Sequence, residues 1–590
     1  MAPSLHKIIV GLDYGTTYSG VSYVTSNADS FEKIEVINQW PGTSDVASKV
    51  PTRIAYESEN NEMGFDKWGY TVSAAHESYS WTKLLLDKST ILTGFDDPSL
   101  RDLMGSGMMR LPAHKSAQQV CNDFLAELYR HVVKVLAKKY SEEIYSITPV
   151  MCWITVPAIW SDAARDATKS AALAAGFGSR KMDTVNIITE PEAAALKPHL
   201  NPQCIDPIRA GDNVLVCDCG GGTVDITTYQ IVEAHPRLSF KEICVGMGGK
   251  VGSTYIDRNF NQWLINTFGN AYTSIPAKKR GPGSALMRSF ETAKRTFSSE
   301  ADDENDATII EIEHLCMKAP SSSRFDEEEE TLKLTYGEMR EFFAPVLRDI
   351  SRLMDEQVDH AKSLGNDIDR VILVGGFGDS DFLVGYIKSW CRGQRPKRPK
   401  LLCPPQSQAA IVKGAALRGL EDLKPMSRIA RRHYGFECAE AFREGIDPEH
   451  LSRIDDWSGE KYCDDRMTWG IHKGQTIDQD TETEVPVFLA VTGTLTGDQR
   501  IDRTTIYSCS HDDAPEYSFE DGIQRLGTVI TEFSRAEILK APKRKSGRKT
   551  IRKLEYDIKV SFSADEGAVV FATYIDGKQA GRTKVEFHND

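Results

Sequence analysis

Two apolar runs separated by a short polar turn open the chain. In "IIVGLDYGTTYSGVSYV" (residues 8–24) a hydrophobic run ends at Asp13, Gly15, Thr16 and Thr17 follow, and apolar and small residues then alternate. That period predicts a β-hairpin whose turn carries the chemistry. The pattern returns in "NVLVCDCGGGTVDITTYQI" (residues 213–231): apolar strand, Asp218, Gly220, Gly221, Gly222, Thr223, second strand. A third segment, "DRVILVGGFGDSDFLVGYIKSW" (residues 369–390), predicts a strand ending in Gly375-Gly376 and then an amphipathic helix. From about residue 426 the texture changes to short alternating runs. Tyr556, Ile558, Val560 and Phe562 share one face, with turns at residues 565–567 and 576–577, which predicts antiparallel sheet.

The turns suggest what the hairpins hold. Glycine admits backbone conformations barred to other residues, so several amides can converge on one point. Converging amides and threonine hydroxyls suit a phosphate, and an adjacent aspartate suits magnesium. For the first turn alone a polar surface hairpin is the alternative, and for Gly375-Gly376 it is ordinary α/β packing. Two Asp-Gly-Thr turns in one chain favour a clamp gripping a triphosphate from opposite sides.

Composition narrows the function class. The chain has 590 residues, so roughly three to five compact units are expected. Its 71 basic and 85 acidic side chains leave a net charge of −14, which argues against broad binding to nucleic acid or anionic membrane. No apolar run approaches the roughly 20 residues of a membrane span, and the first run meets Asp13 too soon for a signal peptide. Twelve cysteines without paired C-x-x-C spacing fit a reducing cytoplasmic or nuclear home, with Cys217 and Cys219 read as buried thiols. "APKRKSGRKTIRK" (residues 541–553) reads as a basic hairpin loop or a nuclear-import signal. The acidic runs at residues 300–306 and 321–330 read as exposed loops.

In this order the three segments resemble the actin, sugar-kinase and heat-shock-chaperone ATPase fold. Further stretches resemble the seventy-kilodalton heat-shock chaperones: "WITVPAIWSDAARDATKSAALAAG" (residues 153–176), "IITEPEAAAL" (residues 187–196) and "ETAKRTFSS" (residues 291–299). The resemblance implies an α/β fold, a two-lobed actin-like ATPase of duplicated ribonuclease-H-like lobes with insertions, followed by a C-terminal antiparallel β-sandwich-like domain. The expected boundaries are 1–425 for the ATPase part and 426–590 for the β-rich part. Lobe I would cover about 1–200 and 401–425, and lobe II about 201–400.

The resemblance also implies roles. Asp13 and Asp218 would hold Mg2+, largely through waters. Gly15, Thr16, Thr17 and Tyr18 would bind the phosphates of ATP or ADP from one lobe; Gly220, Gly221, Gly222 and Thr223 would do so from the other. Lys83, in "YSWTKLLLD", matches the family's catalytic lysine, with a solvated helix residue as the bland alternative. Glu190 would orient the attacking water, or merely cap a helix, and Asp225 would help place that water or a monovalent cation such as K+. Glu291, Lys294 and Arg295 share one helical face, the usual mark of solvated charge pairs. The family match puts the first two at the ribose and Arg295 at the base, with Ser298 at the adenine edge and Gly375-Gly376 under the nucleoside.

Departures from the family pattern cluster on the adenine side. Phe377, Gly378 and Asp379 follow Gly375-Gly376 where the family has serine and then an arginine, and Gln408 replaces an acid; separately, in the upper lobe, Gly252 is kept but Ser253 replaces the family's second glycine. The apolar inter-domain linker is reduced to Leu420 and Leu423, and the chain reaches Asp590 where the family would begin its helical lid. The expected function is that of an ATP-binding, slowly hydrolysing, chaperone-like protein that couples nucleotide state to polypeptide binding. Implied partners are polypeptide clients, a J-domain protein and a nucleotide-exchange factor. A nucleotide-sensing scaffold, a small-molecule kinase and an actin-like filament are the competing readings.

Overall fold

The computed structural model describes residues 6–28, 30–61, 63–73, 75–87, 104–105, 109–196, 208–234, 238–298, 309–404, 407–421, 426–478, 481–492, 499–546, 549–563 and 568–582. The acidic run at 300–306, Leu423 and the turn at 565–567 lie outside them. The chain divides into two compact units, 1–424 and 425–590.

The first unit contains one strand pattern twice. Strands Ile8–Asp13, Tyr18–Thr25 and Glu35–Val36 run antiparallel in succession. Val150–Val156 adds parallel to the first of them and Thr184–Thr189 parallel to Val150–Val156. In the second sheet Asn213–Cys219, Val224–Glu233 and Ser239–Gly249 are antiparallel in the same way, and Arg370–Val374 and Lys400–Leu402 add parallel. Apart from Val50–Pro51, which pairs with Tyr18–Thr25 off the main path, the strands numbered within each sheet run in the order 3-2-1-4-5 both times. The central strands are buried throughout and mostly apolar because both faces are covered.

The helices that cover them start where the local chemistry dictates. Ala117–Tyr140 opens on a capping box of Ser116 and Gln119, and the 28-residue Tyr336–Ser363 on one of Thr335 and Glu338. Asp162–Ala175 stops at Gly176, whose φ of 115° only glycine takes readily. The closest approach involves Ser407–Glu421, which packs on helix Glu190–Leu196 and on strand Ile8–Asp13. A Cβ at Gly414 would stand 1.9 Å from the Ala193 carbonyl oxygen, and one at Gly11 would stand 2.4 Å from that of Val412. Ser22 Oγ donates to the same Val412 carbonyl at 2.7 Å.

The second unit is antiparallel. One sheet joins Ser452–Ile454, Lys461–Ile471, His433–Ala441, Gln499–Cys509 and Ile523–Ser534; the other joins Glu482–Thr492, Lys549–Ser563, Ala568–Ile575 and Lys578–Arg582. Phe436, Ile506, Val529 and Phe533 from the first share a core with Tyr556, Ile558, Val560 and Phe571 from the second. The basic stretch 541–553 falls on a hairpin, Lys543–Ser546 paired with Lys549–Ser563. Among the described residues no helix is long and apolar enough to cross a membrane.

Candidate functional site

The two Asp-Gly-Thr turns meet face to face. Asp13 ends the first strand of the first sheet and Asp218 lies one residue before the end of its counterpart. Ligands of open α/β sheets collect at these carboxyl ends. The turns pack so closely that only glycine fits on one side: a Cβ on Gly221 would stand 2.3 Å from Thr17 Oγ1, and one on Gly222 2.6 Å from Thr16 Oγ1. Behind them, Ser253 and Thr254 donate their amides to the Gly220 and Gly221 carbonyls at 3.1 and 2.9 Å. Gly375 takes a φ of 89°, and a Cβ there would strike Asp218 Oδ1 at 2.4 Å. It holds the third segment against the second turn.

A cleft lies between these elements. It is lined by Asp13, Gly15, Thr16, Thr17, Tyr18, Lys83, Glu190, Asp218, Gly220, Gly221, Gly222, Thr223, Glu291, Lys294, Arg295, Gly375 and Gly376. Of the residues singled out from sequence, Asp225 and Ser298 stand elsewhere. Asp225 lies opposite Asp218 on the neighbouring strand and accepts the Ile159 amide at 3.0 Å; the Ser298 carbonyl accepts the Tyr336 hydroxyl at 2.9 Å.

Charge is concentrated at the phosphate end. Lys83 sits in the short helix Thr82–Leu86, reached through Trp81 at a left-handed φ of 62°, a conformation that costs about 1–2 kcal/mol for a residue with a Cβ. It is buried, not solvated: Nζ lies 2.8 Å from Glu190 Oε1 and 5.0 Å from the centre of the Trp160 ring. Burial pushes the Glu190 carboxyl up to about 7; Lys83 opposes the shift, and Asp13 and Asp225 add to it. Burial, then Glu190, Asp225 and Asp13, hold Asp218 well above the ordinary carboxylate range.

On the opposite side of the cleft, Lys294 Nζ lies 2.8 Å from Asp257 Oδ1 and 2.6 Å from Glu291 Oε2. Arg295 Nε pairs with Glu291 at 2.7 Å and its guanidinium lies 5.2 Å from the Tyr18 ring centre, linking the two halves of the cleft. The departures noted in sequence now have places. Phe377 turns into the second sheet's core beside Phe343, Asp379 accepts the Ser407 hydroxyl, and Gln408 lines the cleft with Ser253.

The sequence reading missed Lys49, Asp257 and Ile411, which also line the cleft. Asp257 sits one turn into helix Thr254–Phe268 and its partner is 37 positions away, so no local spacing marks it. Lys49 stands in a loop and pairs with Asp13 at 2.7 Å.

The donor set fits a hydrated divalent cation. Both Asp218 oxygens are buried without a hydrogen-bond partner, an arrangement that is costly unless a cation or its waters complete it. Magnesium keeps most of its waters and takes one or two carboxylates, so Asp218 with Asp13 meets its needs.

Comparison with known proteins agrees with this geometry. The family model described as "Hsp70 protein" matches residues 9–398. The chain belongs to the Hsp70 family. Human "Heat shock 70 kDa protein 12B" is similar at 24% identity over 618 residues, 90% of this chain and 84% of that protein. Human "Heat shock 70 kDa protein 12A" is 23% identical over 610 residues, 89% and 85% of the two chains. The "Chaperone protein DnaK" of Thermoplasma volcanium is 24% identical over 416 residues, 70% of this chain and 58% of that one. Hsp70 membership implies an actin-like two-lobed ATPase fold, which the doubled 3-2-1-4-5 sheet matches. It also supports a nucleotide-binding, chaperone-like role. Hsp70 proteins generally bind ATP or ADP with magnesium and engage polypeptide clients and co-chaperones.

Proposed function

We propose that this chain binds ATP with magnesium, hydrolyses it slowly, and uses the two nucleotide states to bias polypeptide binding through the β-rich unit. The observation that carries the nucleotide part is the interlocked pair of Gly-Thr turns around the Lys83–Glu190 pair and the unpartnered Asp218 carboxylate. Thr16, Thr17 and the 220–223 turn hold the phosphates, and Glu291, Lys294 and Arg295 hold the nucleoside. Asp218 and Asp13 would hold magnesium, which would neutralise phosphate charge. Phosphoryl transfer requires mainly positioning and charge stabilisation, which Lys83 provides at the γ-phosphate. Glu190, with a carboxyl that titrates near neutrality, accepts a hydrogen bond from the attacking water and aims it.

The test pairs calorimetry with single-turnover hydrolysis. Lys83→Ala is expected to retain ATP binding while hydrolysis falls about 100- to 1,000-fold, the usual effect of removing one transition-state charge donor. Equal turnover in the variant removes Lys83 from the mechanism. Absence of ATP binding in the unaltered chain removes the whole reading.

A further inference from the structure

Lys49 is a cleft residue to which the nucleotide reading gives no role, and its setting is built. The strand pair beside it fixes its backbone: Val50 and Pro51 register against Ser19 and Tyr18, and the Tyr70 hydroxyl donates to the Lys49 carbonyl at 3.1 Å. Its stem lies over Gly20, where a Cβ would meet Lys49 Cγ at 3.2 Å. The ammonium is 2.7 Å from Asp13 Oδ2, while Asp13 Oδ1 accepts the Thr155 hydroxyl at 3.0 Å. Both side chains are nearly sealed from solvent, at 10% and 4% exposure. One of the two carboxylates suited to a metal thus already has a cation on it, and the other, Asp218, has nothing.

We propose that Lys49 is a resident counter-ion for the phosphate chain, so that this protein binds nucleoside diphosphate without a divalent metal. The inference rests on the nucleotide reading above and deepens it. A lysine stem is flexible, and its ammonium is a compact charge with three donors. On nucleotide entry it swings from Asp13 to the phosphate oxygens that gather at Thr16 and Thr17, and Asp13 becomes available to a metal when one is present. The 2.7 Å ion pair with Asp13 holds that ammonium in the cleft before the ligand arrives. A lysine serving only to neutralise the empty Asp13 would affect stability and leave the metal dependence of binding unchanged.

The experiment is calorimetric titration of the full chain with ADP, once in magnesium and once in EDTA. In the unaltered chain EDTA is expected to weaken binding by less than about 100-fold, because one charge-assisted contact of about 10- to 100-fold remains. Lys49→Met, which keeps the stem, should lose about 10- to 100-fold in EDTA and a smaller factor in magnesium. Lys49→Arg should keep the ratio of the unaltered chain. An unaltered-chain ratio above about 100-fold overturns the inference, as does a Met variant in which both conditions shift by one factor or neither shifts. If Lys49→Met does not fold, Lys49→Gln and the unaltered-chain ratio decide by the same criteria. Loss of ADP binding by the unaltered chain even with magnesium overturns the nucleotide reading itself, which sets that failure apart.

Discussion

Gly414→Ala puts two well-known effects in opposition. Gly414 lies within helix Ser407–Glu421, where replacing glycine by alanine ordinarily stabilises by about 1 kcal/mol. Here the added methyl would stand 1.9 Å from the Ala193 carbonyl oxygen and 2.6 Å from its carbon. Both are backbone atoms, so no side chain can swing aside, and the helices must part by about 1.1 Å to reach an allowed contact. Overpacking of this kind costs about 1–3 kcal/mol, and a gap of 0.5–1 Å already forfeits a quarter to a half of each neighbouring dispersion contact. The clash outweighs the propensity, and the first unit should lose up to about 2 kcal/mol net, which in a unit of 424 residues lowers the melting midpoint by up to about 2 °C. The consequence reaches the cleft, because Ala193 shares helix Glu190–Leu196 with Glu190, while the helix bearing Gly414 carries Gln408 and Ile411. A displacement near 1 Å at Glu190 should lower single-turnover hydrolysis by about 100-fold. Differential scanning calorimetry and a quenched-flow hydrolysis assay read the two effects. A raised midpoint with unchanged hydrolysis would refute the reasoning, since that is what helix propensity alone requires.

Two further outcomes follow from the charges. Asp218→Asn removes a buried carboxylate that lacks partners and faces Glu190, Asp225 and Asp13, so the ligand-free first unit should melt higher. Because the folded-state pKa is raised, the carboxylate's penalty grows as pH rises above the ordinary 3.8, and the Asn gain should be larger at pH 8 than at pH 5. The same variant should lose most of its stabilisation by magnesium-ADP, and thermal shift with and without ligand checks both. In the second unit, His433 accepts the Lys473 amide at Nδ1 (3.1 Å) and donates from Nε2 to the His511 carbonyl (3.1 Å), which requires the neutral ring. Burial lowers its pKa below the ordinary 6.5, with His472 and Lys473 adding to the shift. Stability is therefore complete above 6.5 and declines as pH falls below it. Urea midpoints followed by tryptophan fluorescence should show that decline in the unaltered chain and a flatter profile in His433→Asn.

Much of the cleft was legible in the sequence because its glycines are forced. Gly221, Gly222 and Gly375 stand where a Cβ would strike Thr17, Thr16 or Asp218, and such spacing survives as a pattern. The strands were legible for the same reason, as runs buried on both faces. Lys49 and Asp257 were not. Each is one charge whose partner lies 36 or 37 positions away, and only folding brings the pair together. Phe377 could not be placed from sequence either: whether it faced base or core was decided by Phe343, on a different helix.

The contact between Gly11 and Val412 sets a timetable for the newborn polypeptide. The strand that begins the first sheet emerges early, yet one face of it stays bare until the helix at 407–421 leaves the ribosome. Nearly the whole first unit must be translated before its opening strand is sheltered, and exposed apolar surface invites aggregation throughout that interval. A protein of a chaperone family thus begins life as a chain in want of one.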